Sequence, residues 1–204
     1  RIFGTLVDSL VTYRLSYGLY RYSHDYGQTE EQATARDNYP QYTIVKMAQA
    51  PSWNAEGLYA QLAGEAGRAK QIFEQVQWQR PEMRDQYLIE CDRLIVMAQA
   101  MATCIGLVRE YLRHQQAMKS AAMLARDDGL LVTGSQKLEG LLGQFDAVMK
   151  AAEEKKDHYL VPHFLREMSL MRRFVASLKA SFDTIAQQAR DGEIVRLPEL
   201  AVLK

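Results

Sequence analysis

The side chains of this 204-residue chain that could do covalent or metal chemistry are few: two cysteines, four histidines and some short carboxylate clusters. Cys91 and Cys104 lie thirteen residues apart within one helical pattern. At 1.5 Å per residue that separation is about 20 Å, whereas a disulfide needs Cα atoms within about 7 Å. Both fall on apolar positions, so they are expected as buried free thiols in a reducing, cytoplasmic setting. A nucleophilic cysteine would need a polar, partly exposed place instead. Zinc requires clustered Cys and His, and His24 and His114 stand alone. A carboxylate-bridged metal pair in a helical bundle uses Glu-x-x-His, which does not occur here. Glu154/His158 and His163/Glu167 are spaced i,i+4 and are expected as surface pairs. The chain has no phosphate-binding glycine loop, no dinucleotide fingerprint and no nucleophile elbow. Asp127-Asp128 is too little for a magnesium site. No catalytic residue, cofactor or metal is therefore expected.

Two residue groups bear on partners. Lys155, Lys156, Arg166, Arg172, Arg173 and Lys179 form a candidate basic patch, but Glu167 and Asp183 are interspersed. Lys+Arg and Asp+Glu both number 25, and the balance holds in each third of the chain. No segment carries the one-signed field that nucleic acid or an acidic membrane requires, so nucleic acid is not an expected partner. Seven of the eleven tyrosines fall in the first 42 residues. Tyr13, Tyr17 and Tyr20 share one helical stripe, whereas Leu15, Leu19 and Tyr22 share another. Tyrosine joins a large apolar ring to a polar tip, which suits interfaces. Tyr13, Tyr17, Tyr20, Tyr22 and Tyr26 are thus candidate contacts to another subunit.

The elements that would position these residues are all helical. Apolar residues recur in steps of three and four almost throughout, and no hairpin signal separates alternating runs. The spacing predicts an N-terminal helix to about His24, a brief one over 29–37, and another over 41–49. Ser52 is the expected cap of a helix reaching Gln79, with Leu58, Leu62, Ala66, Ala69, Phe73 and Val76 inward. Gly64 and Gly67 are read there as permitting close helix contact. After Pro81 the residues Tyr87, Cys91, Leu94, Ala98, Met101, Ile105, Val108 and Leu112 form a heptad seam. A continuous helix over 81–126 is expected, closed by Gly129. Its apolar run Leu94–Val108, bracketed by Arg93 and Arg109, falls short of the about 20 residues of a membrane span. Leu130–Gly134 reads as a connector, Ser135 as a cap, and 162–190 as the last long helix, stopped by Gly192.

These readings give an all-α fold: an antiparallel helical bundle with long coiled-coil-like helices. A tyrosine-rich region over 1–50 precedes a bundle over 51–192, and a C-terminal arm over 193–204 follows. The expected function is a non-catalytic scaffold or adaptor acting through other protein subunits, as a component of a larger assembly. One alternative is a helical enzyme or ligand-binding bundle with a site from scattered residues, such as Tyr159, His163 and Glu167. Another is a nucleic-acid-associated factor using basic residues of 155–179.

Overall fold

The computed structural model describes residues 39–50, 54–155 and 161–201. The described residues are all-α: α1 (Tyr39–Gln49), α2 (Ala55–Gln75), α3 (Pro81–Gln116), α4 (Ala121–Leu124), α5 (Leu130–Glu153) and α6 (Val161–Arg190). The tyrosines at 13, 17, 20, 22 and 26, the N-terminal helices, Ser52, Lys156 and Tyr159 lie outside the described residues.

Local chemistry sets the helix ends. Pro40 falls in the first turn of α1, where its missing N–H is no loss. Asn54 caps α2 by accepting from the Gly57 amide at 3.0 Å. Pro81 opens α3. Gly192, at φ +75°, ends α6, and the Glu193 amide reaches back to the Gln188 carbonyl at 2.9 Å, the bond that closes a left-handed C-terminal turn.

Ion pairs and rings fix how neighbours run. Between α2 and α3, Glu56 meets Arg109, Lys70 meets Asp92 at 2.6 Å, and Phe73 packs on Tyr87 with centroids 5.6 Å apart. Positions rise along α2 as they fall along α3, so the pair is an antiparallel hairpin. Trp78 closes its turn, donating to the Phe73 carbonyl at 2.8 Å and packing on both rings. Between α5 and α6, Glu139 pairs with Lys179 and Asp146 with Arg172, which is the same antiparallel arrangement. Helix α3 also packs against α1, α5 and α6. One core joins all the described helices and takes in Leu197 and Leu200 of the C-terminal arm. The arm is tied down by Tyr111 Oη donating to the Pro198 carbonyl at 2.7 Å and by the Ala121 amide donating to Val195 at 3.0 Å.

The seam of α3 is buried from Cys91 to Val108, but burial extends beyond it to Val96, Met97, Ala100, Cys104, Leu107 and Tyr111. Helix α3 therefore has neighbours on several sides. It is long and apolar enough to cross a membrane by length and composition, and 67% of its most apolar window is buried inside the fold.

Several helix boundaries and inward faces differ from those the spacing predicts. The helix from Pro81 ends at Gln116, not Arg126: Met118 takes a left-handed φ of 50°, and α4 follows as a separate turn. Helix α5 begins at Leu130, not Ser135, so Leu130 and Leu131 are core rather than connector. Gly129 precedes α5 instead of closing α3, and a Cβ there would stand 2.3 Å from the Leu124 carbonyl oxygen. Helix α2 stops at Gln75, and its inward stripe runs Ala55, Tyr59, Leu62, Ala66, Ala69, leaving Leu58 and Val76 exposed. Its small buried residues are alanines, since a Cβ on Gly67 would meet nothing within 4 Å.

Candidate functional site

Two polar constellations interrupt the core, and the arginines that bracket the apolar run of α3 build one each. Arg93 is the only buried charged residue among those described. Its Nε and Nη2 donate to the two carboxylate oxygens of Glu90, one turn earlier, at 2.7 and 2.6 Å. Its Nη1 donates to Glu167 of α6 at 2.7 Å. Burial works against the guanidinium charge, but Glu90 and Glu167 outweigh it and hold Arg93 protonated. Glu167 is pushed above the usual carboxylate range by burial, with Arg93 opposing and Glu90 reinforcing the shift. The expected surface pairing of Glu167 is thus corrected: its partner is Arg93, across the core. With every guanidinium edge engaged, this constellation is a lock between α3 and α6.

Arg109 builds the second. Its Nη2 donates to the Met47 carbonyl at 2.9 Å and its Nε to the Ala48 carbonyl at 3.3 Å. These are carbonyls at the C-terminal end of α1, which has no further turn to satisfy them. Its Nη1 pairs with Glu56 in the first turn of α2. Arg109 thereby fixes where α1 ends and α2 begins.

Beside this clamp lies an open cleft of about 600 Å³, lined by residues of α2, α3 and α5. Its floor is the α3 face carrying Thr103, Gly106, Glu110 and Arg113, spaced 3, 4 and 3 along the helix, with Glu56 and Lys137 from the flanking helices. A Cβ on Gly106 would sit 3.4 Å from Glu56 Oε1. Glu110 lies 3.5 Å from both Arg113 and His114.

The thiols are buried and unbridged. Burial, with Glu90 and Asp92 adding to it, pushes Cys91 up to about 11. Burial alone raises Cys104 further. Neither is a nucleophile in the folded state. No group of three or more metal-ligating side chains occurs among the described residues.

In the basic patch, Lys155 pairs with Asp85 at 2.8 Å, Arg172 is bidentate to Asp146, and Lys179 meets Asp183 and Glu139. Arg166 and Arg173 are exposed. The cleft was not legible in the sequence, because Glu56, Arg113 and Lys137 belong to three separate periodic runs. The only hint was a charged residue at each end of an apolar stretch.

No protein-family model, curated protein or solved structure matches this chain.

Proposed function

We propose that this protein is a non-catalytic helical scaffold that works through contacts with other protein subunits, as a structural component of an assembly in a reducing, cytoplasmic compartment. The observation that carries the reading is the outward face of α2. Leu58 and Ile72 are 38% and 40% exposed there, Val76, the extended residue just past the helix, is 49% exposed, and α2 packs chiefly on α3. Leu58 and Ile72 are fourteen residues apart, four helical turns, so they share one line along the surface. A second helix laid along that line would bury them, as helix-in-groove recognition does.

Two further features support the reading. The thiols are inert and the buried charges are consumed in helix-to-helix locks, as in a body built for rigidity. Three residues of the basic patch are neutralised by carboxylates, which favours a protein partner over nucleic acid.

The test is quantitative mass spectrometry of what co-purifies with the full chain from its native cell, against an I72D/V76D double variant. Both side chains are exposed, so the variant keeps its fold and its circular dichroism. A discrete set of proteins bound by the native chain and lost from the variant supports the proposal. The same set on both chains, or none on either, overturns it.

A further inference from the structure

The scaffold reading leaves the 600 Å³ cleft unused, and its charges do not cancel. Small-molecule clefts run about 300–1,000 Å³ and rely on a few polar groups that converge from different elements. Three cations (Arg109, Arg113 and Lys137) and two carboxylates (Glu56 and Glu110) line this one. Arg109 and Glu56 answer each other and the end of α1. Glu110 lies 3.5 Å from Arg113, a loose pair with both side chains about half exposed or more.

Lys137 makes no ion pair or hydrogen bond among the described residues. Its own helix offers none, because the positions three and four away are Gly134, Thr133, Gly140 and Leu141. The Thr103 hydroxyl is likewise without a partner among the described residues. What remains is a lysine from α5 and an arginine from α3 that line the same cleft, together with the uncharged Ala102, Thr103, Gly106 and Leu107 of α3. Such an uncharged face accepts the flat or apolar part of a molecule, and the two cations accept its anionic end.

We propose that this cleft binds a small organic anion, whose phosphate or carboxylate lies between Arg113 and Lys137 and whose remainder rests on the Thr103–Gly106 face of α3. Exposed charge pairs are individually weak, so a bare anion should bind with Kd on the order of 1 mM.

The probes are inorganic phosphate and citrate, titrated into the full chain at constant ionic strength set with sodium chloride. The readout is the backbone amide resonances of Thr103, Gly106, Arg113 and Lys137. The expected result is saturating shifts confined to these residues, weakened at least tenfold in K137E and unchanged in R166E, which lies away from the cleft. K137M, which removes the charge without reversing it, gives the same comparison if K137E perturbs folding. Saturation by phosphate alone identifies a phosphate-bearing ligand; saturation by citrate alone identifies a carboxylate. Shifts that never saturate or spread over the whole surface overturn the proposal, as does a lysine variant that binds as tightly as the native chain.

Discussion

Arg93 and Arg109 carry more of the architecture than their sequence neighbourhood suggests. Both sit at the border of an apolar run, where a charge reads as the edge of a buried segment, and the structure turns both inward. Their partners Glu167 and Glu56 are 74 and 53 residues distant, and no periodicity within one helix encodes that. Removing Arg93 would leave two carboxylates facing each other in a poorly solvated place. Arg93→Ala is therefore expected to cost about 3–5 kcal/mol, the range for breaking one side of a buried ion pair, read as a fall in the urea midpoint. Tyr111→Phe is milder: it removes one of two donors to the Pro198 carbonyl, with Gln115 Nε2 still donating at 2.8 Å, and should cost about 0.5–1.5 kcal/mol. Glu167 adds a pH signature. Its folded-state value lies above the ordinary 4.5, so between those two values the folded chain holds a proton that the unfolded chain has released. Stability from this group therefore falls as pH rises through that window. Relative to Glu167→Gln, the native chain should lose stability from about pH 4.5 upward and then level off. Urea melts at a series of pH values check this, and a native chain that gains stability relative to Glu167→Gln as pH rises above 4.5 would contradict it.

At the scale of the element, helical period and some of the end signals were legible, whereas the end of α3, the start of α5 and the reason for each glycine were not. Pro81, Pro162 and Gly192 mark helix ends in the sequence and in the structure alike. The glycines of α5 look equivalent in a string of letters, yet they differ in what surrounds them. Gly134 faces Phe182 across the α5–α6 contact, and a Cβ there would stand 2.6 Å from the ring. Gly140 and Gly143 point where a Cβ would meet nothing within 4 Å. The same substitution should then act in opposite directions. Gly140→Ala and Gly143→Ala should each stabilise by about 0.5–1 kcal/mol, through helix propensity and a less free unfolded chain. Gly134→Ala should destabilise by about 1–3 kcal/mol, because the ring cannot retreat through a packed core. Thermal melts of the three single variants suffice, and stabilisation by Gly134→Ala would mean that Phe182 has room the packing does not show. The early end of α3 has a similar origin. The apolar pattern continues to Arg126, but the C-terminal arm occupies the space beside residues 117–125 through the Ser120–Arg196 bridge and the Ala121 amide. That contact spans some 75 residues, and no local pattern predicts it.

At the scale of the molecule, α3 links the two hairpins, so anything that exposes its middle must part α2 from α3 or α5 and α6 from both. The two cysteines report on that directly. Cys91 lies on α3 beside the charges of α2, whereas Cys104 lies at the centre, fully enclosed. With the Cys91 thiol near 11, only about one molecule in a thousand is thiolate at pH 8 even before access is considered. Reaction with a thiol reagent must therefore wait for an opening, and its rate measures the free energy of that opening. Because one core holds residues from every described helix, both thiols are expected to require the same global event. In a slow-reagent regime, the logarithm of each labelling rate should rise with urea at the slope of equilibrium unfolding, and mass spectrometry should show doubly labelled chains without a build-up of singly labelled ones. If Cys91 labels first with a shallower urea dependence, the α2–α3 hairpin opens on its own. The outer face of α2 would then belong to the least stable part of the fold, and a partner laid along Leu58 and Ile72 would stabilise the hairpin as well as dock to it.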